Sequence, residues 1–304
     1  MPDKLTKGIS SNKEIRYFTA DISNTAEEGR KIHDLSPVKT VIFGKLLCAG
    51  LLLGADLKEK DYLVSIKVEL KESSDFVLVT ANKRGEVKGY PHLSFKDDIS
   101  TSEDYEAITL SRKIREKIIS ELKDGIFTVI KDIGLKNPYN GSSKLITGEL
   151  ARDITYYFTV SEQIPSIVGL SVILNPDGSV KKAVGFLVQL LPEASNKTID
   201  HLEKNMQKLP EIIDLLEMGK TIQNILSDMI FKGIPIELNW ESEARYHCDC
   251  SKERFEKGLI LLSKDELKEV AEADEIVKIQ CHYCNKDYEF NAASMKKIIK
   301  AAKK

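Results

Sequence analysis

Apolar and polar positions change rhythm along this chain, and each rhythm predicts a different kind of element. Val64, Ile66, Val68 and Leu70 alternate with Ser65, Lys67 and Glu69, the period of a half-buried strand. Phe76-Val77-Leu78-Val79 continues as strand, residues 85–90 supply turns and a further short strand, and residues 126–130 are strand-like again. A last hairpin opens at Ile164-Pro165-Ser166 and runs over residues 167–174. It turns at Asn175-Pro176-Asp177-Gly178, and returns over residues 180–191. Proline presets one dihedral of that turn and glycine relieves the next. Helices are predicted over residues 23–34, from Pro37 onward, and over residues 103–122. Pro37 suits a first helical turn. The helix it opens is unusually apolar: Val41, Ile42, Leu46, Leu47, Cys48, Leu51, Leu52 and Leu53 cover most of its circumference. Such a helix is either central to a core or half of a large apolar surface.

From Asn196 the period becomes 3.6. Ile199, Leu202, Met206 and Leu209 share one helical face with Thr198 as its cap, and Pro210 interrupts. Ile212, Ile213, Leu215, Leu216 and Met218 follow, and Gly219-Lys220 breaks the pattern. Ile222, Ile225, Leu226, Met229 and Ile230 form a last stripe that ends at Gly233, with Pro235 beyond. These helices are too short to be stable alone in water and need a docking surface. On pattern alone they are ordinary packing helices; their position before a cysteine-rich end gives them a second meaning.

The fold class this predicts is α+β. An antiparallel-sheet α/β domain spans residues 1–195, a helical linker 196–236, and a small C-terminal domain 237–304. In the last, residues 251–262 suit a short helix, and Ser263-Lys264-Asp265-Glu266 is a capping box for another. Net charge is −2, from 45 basic and 47 acidic residues, which leaves no electrostatic footprint for nucleic acid or an anionic membrane. No run approaches the roughly 20 apolar residues of a bilayer span. The segment from Met1 to Gly8 lacks the apolar core of a signal peptide, so a cytoplasmic setting is expected, where thiols stay reduced.

Four of the five cysteines lie in the last fifth of the chain, as Cys248-Asp249-Cys250 and, thirty residues later, Cys281-His282-Tyr283-Cys284. Four convergent thiols make a tetrahedral soft-ligand site that zinc fills most often. The C-x-x-C, followed by Asn285-Lys286 and flanked by strand-like residues 276–279 and 288–290, has the shape of a zinc knuckle. His247 and His282 adjoin the thiols, but four sulfurs already complete a tetrahedron, so neither is assigned as a ligand. The C-x-C half is the unusual one, because its two neighbouring thiols can be oxidised together. The cluster can therefore be a staple or a switch. Cys48, alone in the apolar helix, reads as a small buried side chain.

These residues resemble the redox-regulated heat-shock chaperones of the thirty-three-kilodalton class, the 33 kDa chaperonin family. The two cysteine pairs at this separation are its signature. His33-Asp34-Leu35-Ser36-Pro37 with Gly44, Ala49 and Leu57-Lys58, Pro138-Tyr139-Asn140-Gly141, residues 157–166 (Y-F-x-x-S-E-Q-x-P-S) and residues 186–192 (Q-x-L-P at the end) match it nearly end to end. Lys71-Glu72-Ser73-Ser74 departs from a glycine-rich turn, and Lys182-Ala183-Val184-Gly185 keeps one of a usual glycine pair. The resemblance implies a non-enzymatic, ATP-independent holdase. When reduced it is off, with Cys248, Cys250, Cys281 and Cys284 holding Zn²⁺. When oxidised to Cys248–Cys250 and Cys281–Cys284 disulfides it is on. It then binds unfolding client proteins, with the first domain a candidate client surface, and associates into a dimer. Two alternatives stay in view. A zinc-ribbon nucleic-acid binder is disfavoured by the balanced charge of residues 237–304. A C-x-x-C thiol–disulfide oxidoreductase is disfavoured by a motif placed late and in a hairpin pattern. Neither a Walker loop nor a dinucleotide fingerprint is present in the sequence.

Overall fold

The computed structural model describes residues 2–71, 73–99, 107–260 and 276–301. It divides into two compact units, Met1–Tyr246 and His247–Lys304.

The first unit is α+β, as expected. A five-stranded sheet has the order β10-β1-β2-β9-β8, with β1 Lys4–Ser10, β2 Ile15–Asp21, β8 Ser166–Leu174, β9 Val180–Leu190 and β10 Ile236–Glu243. A six-stranded sheet has the order β11-β5-β4-β3-β6-β7, with β3 Leu63–Glu69, β4 Phe76–Asn82, β5 Glu86–His92, β6 Ile126–Asp132, β7 Tyr139–Lys144 and β11 Arg245–Tyr246. All pairings are antiparallel except the short parallel contact of β11 with β5. Four helices join the strands: α1 Ser23–His33, α2 Pro37–Gly54, α3 Ala107–Leu122 and α4 Leu150–Tyr157.

The apolar circumference of α2 is explained by its place between the two sheets. It packs on β4, β5 and β3 on one side and on β9, β8 and β2 on the other. Two glycines allow both approaches: a Cβ at Gly50 would lie 2.8 Å from Val79 Cγ1 of β4, and one at Gly44 would lie 3.1 Å from Val172 Cγ2 of β8. By length and hydropathy α2 would suffice to cross a membrane, but 83% of it is buried inside the fold. Here it is a core helix.

The other face of the five-stranded sheet is covered by the helices after Ser195: α5 Asn196–Gln207, α6 Ile212–Glu217 and α7 Ile222–Ile225, which continues as a π-turn over Leu226–Ile230. Leu202, Leu215, Ile222, Ile225, Leu226 and Ile230 bury themselves against Ile15, Tyr17, Ile173, Val184, Phe186 and Val188. This sheet is thus covered on both faces, which accounts for the continuous apolar runs of β8 and β9. The helices predicted as a separate linker over 196–236 belong to the first compact unit because this face needs them. Strand β10 then pairs along β1, so the division falls at 246/247, ten residues beyond the expected 236/237 boundary. Ser195, not Thr198, caps α5, accepting the Thr198 N–H at 3.4 Å; the Thr198 hydroxyl is within 3.1 Å of Asn12 Nδ2 instead. The departing turn at 71–74 includes Glu72, outside the described residues. At the other departure, Ala183 and Gly185 pair in β9 with Val172 and Leu170 of β8.

Arg245 and Tyr246 close the first unit. The Tyr246 hydroxyl donates to the Gly89 carbonyl at 3.0 Å and accepts its N–H at 3.1 Å. Arg245 reaches Glu86 at 2.7 Å. Burial works against the Glu86 carboxylate, but hydrogen bonds from Arg245, Asn82 and Arg84 outweigh it and hold its pKa at about 2.

Candidate metal centre

The second unit is organised around its sulfurs. Cys248 and Cys250 lie in a segment without regular secondary structure that leads to the helix α8, Lys252–Leu259. Ser251 caps that helix by accepting the Arg254 N–H at 3.3 Å, and the Arg254 guanidinium turns back to the Asp249 carboxylate. Both contacts fix the backbone on either side of Cys250. The capping box expected at Ser263 lies outside the described residues.

Cys281 and Cys284 sit at the tip of a hairpin made by β12, Val277–Gln280, and β13, Asp287–Phe290. The Cys281 carbonyl accepts the N–H groups of Cys284 at 3.3 Å and Asn285 at 2.8 Å, and the Cys281 N–H donates to the Lys286 carbonyl at 2.9 Å. Asn285 takes the left-handed backbone, φ 55°, that this tight turn needs and that asparagine tolerates better than most residues. This is the knuckle shape that the spacing predicted. The motif is at a hairpin tip and not at a helix N-terminus, which is the setting a thiol–disulfide oxidoreductase uses.

The two halves converge. The sulfurs of Cys248, Cys250, Cys281 and Cys284 all lie within 4.8 Å of one another. Two close approaches cross the two motifs, 3.7 Å for Cys248–Cys281 and 3.3 Å for Cys250–Cys284. Four sulfurs around a metal at about 2.3 Å each would stand roughly 3.8 Å apart, so the donor set fits a tetrahedral ion. Among the described residues the convergent group contains neither His247 nor His282. Cys48 is fully buried in α2 of the first unit, where burial pushes its thiol pKa up.

An apolar shell surrounds the sulfurs. Cys281, Tyr288, Phe290, Met295 and Ile298 are buried together, with Phe255 and Leu259 of α8 packed against them and Met295 and Ile298 supplied by the C-terminal helix Ala292–Ala301. Among the described residues this shell is small. The sequence reading did not single out Tyr288. Its hydroxyl lies 3.1 Å from Cys250 Sγ and 3.0 Å from the Cys250 carbonyl oxygen. A hydroxyl-bearing residue four positions past the second knuckle cysteine was the available signal.

The four thiols are not equivalent. Burial raises the pKa of Cys248, and burial likewise pushes Cys284 up to about 11. Burial also opposes ionisation of Cys250, but hydrogen bonds from Tyr288 and from the neighbouring thiols outweigh it, so Cys250 is held below the usual cysteine range.

The sequence model of the Hsp33 protein family matches residues 3–291 of this chain, a span that includes both sheets and all four cysteines. The chain belongs to the Hsp33 family. It is 35% identical over 298 residues to a 33 kDa chaperonin of Agathobacter rectalis, covering 98% of this chain and 100% of that one. A 33 kDa chaperonin of Clostridium perfringens is 36% identical, covering 100% and 92%. The crystal structure of a 33 kDa chaperonin, a heat shock protein 33 homologue, from Thermotoga maritima superposes with a TM-score of 0.83 at 27% identity, over 99% of this chain and 98% of that one. This Hsp33 chain therefore shares its fold with a solved relative over nearly its whole length.

Proposed function

We propose that this Hsp33 chain is a redox-switched, ATP-independent holdase, with Cys248, Cys250, Cys281 and Cys284 as ligands of Zn²⁺ in its reduced, resting form. The observation that carries the reading is the convergence of a C-x-C and a C-x-x-C onto one point, with all four sulfurs within 4.8 Å. Zinc held there supplies much of the folding free energy of the second unit and keeps its ligands as thiolates.

The switch is the chemistry of the sulfurs. A thiolate attacks peroxide, an S–O bond forms as the O–O bond breaks, and the resulting sulfenic acid is displaced by a neighbouring thiol with loss of water. Each pair of thiols gives up two electrons to one peroxide, which leaves as two waters. In a tetrahedron every sulfur is about equally near every other, so the closest approach does not choose the pairing. The family resemblance supports Cys248–Cys250 and Cys281–Cys284. Each closes a very small loop, constrains little of the unfolded chain and leaves no thiolate for a metal.

Loss of the ligand set removes the organising centre of the second unit. The cover of α5, α6 and α7 then loosens, since each is too short to persist undocked. That uncovers the apolar face carrying Ile15, Tyr17, Ile173, Val184, Phe186 and Val188. Unfolded or partly folded client proteins dock on it in the cytoplasm, and activated chains pair into dimers. The reading invokes no enzymatic step, nucleic acid or membrane.

An aggregation-suppression assay on a thermally unfolding client tests this. The reduced, zinc-loaded chain is expected to be inactive and the chain treated with peroxide at elevated temperature active. Equal activity in the two states would overturn the switch.

A further inference from the structure

The first unit contains a half-open cavity of about 250 Å³ between α2, α3, β8 and the start of α6. Its apolar wall is formed by Ile114 and Ile118 of α3, Val168, Leu170 and Val172 of β8, and Ile212 of α6. A cavity of about 150 Å³ lined by aliphatic side chains already takes benzene, so this one has room for a six-carbon ligand. Lys45, Arg115, Arg152, Glu149 and Glu211 also line it. Arg115 holds Glu149 through two contacts of 2.9 Å and lies 3.6 Å from Glu211, and Arg152 lies 3.5 Å from Glu149. Both carboxylates thus have arginine partners. Lys45, half-buried on α2, has no such partner: among the described residues its amine makes no hydrogen bond and no salt bridge. Burial works against its charge and lowers its pKa; Glu149 supports the charge from beyond salt-bridge distance, and Arg115 opposes it. With Lys45 protonated, three cations face two carboxylates, and one positive charge lacks a counterion.

We propose that this cavity is a binding site for a small monocarboxylate with an apolar tail, its carboxylate on the Lys45 ammonium and its tail against α3, β8 and α6. A carboxylate there supplies the missing counterion and gives the amine charge-assisted hydrogen bonds. A monoanion suits the site better than a phosphate dianion, whose second charge would stand near Glu149 and Glu211 with no cation left to balance it. A neutral ligand would cover the apolar wall and leave the ammonium unpaired. Glu211 and Ile212 stand at the start of α6, so a ligand held between them and α2 ties that helix to the body of the unit. On the redox reading above, α6 is part of the cover that loosens, and an occupied cavity would hold the cover down. The site itself does not depend on that reading.

Calorimetric titration of the reduced full chain with hexanoate tests the site. Hexanoate is expected to bind with one-to-one stoichiometry. Hexanamide, which has nearly the same shape without the charge, should bind about ten- to hundredfold more weakly, the effect of one charge-assisted hydrogen bond. Lys45→Met keeps a long unbranched side chain and should weaken hexanoate by a similar factor; an unchanged affinity in that variant overturns the proposal. So does an absence of binding at about 10 mM hexanoate, or equal affinity for hexanoate and hexanamide. That comparison is made on wild type and decides the matter even if the variant fails to fold. Inorganic phosphate that binds more tightly than hexanoate would overturn the choice of a monocarboxylate. Hydrogen exchange locates the ligand: α3 and α6 should exchange more slowly when hexanoate is bound, and binding that slows neither lies elsewhere and also overturns the proposal. Every readout is taken on the reduced chain, so these results stand if the peroxide switch fails. A working switch, equally, does not rescue a cavity that binds no carboxylate.

Discussion

Cys281 and Cys284 share one turn of chain at the tip of the β12–β13 hairpin, so replacing both by serine removes half of the donor set. High-affinity zinc binding should be lost, and a variant that retains one equivalent of zinc would refute the ligand assignment. The four cysteines were legible because their meaning lies in spacing, which sequence displays directly. Tyr288 was not, because its contact with Cys250 joins residues 38 apart through the packing of a hairpin on a helix. Glu86 shows the same limit. Its ordinary pKa of 4.5 falls to about 2 through partners that include Arg245, 159 residues away. Because the folded value is depressed, the stability it contributes is complete above about pH 4.5 and is lost as pH falls toward 2. Urea unfolding of wild type and Glu86→Gln across that window should show the variant with the shallower decline. Parallel curves would mean that Glu86 is not ionised through those contacts.

At the scale of elements, the helices over the five-stranded sheet are the ones that the proposed switch loosens. α7 has a capping box, in which Thr221 Oγ1 accepts the Asn224 N–H and the Asn224 side chain returns to the Thr221 N–H. Thr221→Ala should cost about 1 kcal/mol and lower the temperature at which the oxidised chain binds a hydrophobic dye. An unchanged dye-binding midpoint would detach α7 from the exposed surface. In α2, Gly50→Val forces a branched side chain against Val79 and should destabilise the first unit by about 1–3 kcal/mol, read as a lower urea midpoint at constant slope. Strongly periodic elements were legible: α2, the strands β3 and β4, and the hairpin of β8 and β9. Strands β1, β2, β7, β10 and β11 were not predicted. β10 carries Glu237, Asn239, Glu241 and Glu243 and is largely exposed, so only its long-range pairing with β1 makes it a strand. β11 is two residues long.

For the whole molecule, the expected consequence of chelating the metal is graded. Amide protection should vanish from the second unit, beyond Tyr246, while α2 and the two sheets stay protected, since their core contains none of the four clustered cysteines. Hydrogen exchange before and after chelation measures this, and a chain that loses protection uniformly would show that the two units do not melt separately. The α+β class was readable from the succession of periods. The division at 246/247 was not, because it follows from two strands late in the sequence returning to sheets begun at its start.

The placement of α2 between two sheets also fixes an order of synthesis. Its first sheet needs β3, β4 and β5, whereas its second waits for β8 and β9, which end only at Leu190. At about 5–20 residues per second, a ribosome leaves a helix of membrane-like hydropathy half covered for several seconds to tens of seconds. During that interval the nascent chain presents the kind of surface that holdases capture and that membrane-targeting machinery surveys. Each new copy passes through a stage in which it needs the protection its family is named for.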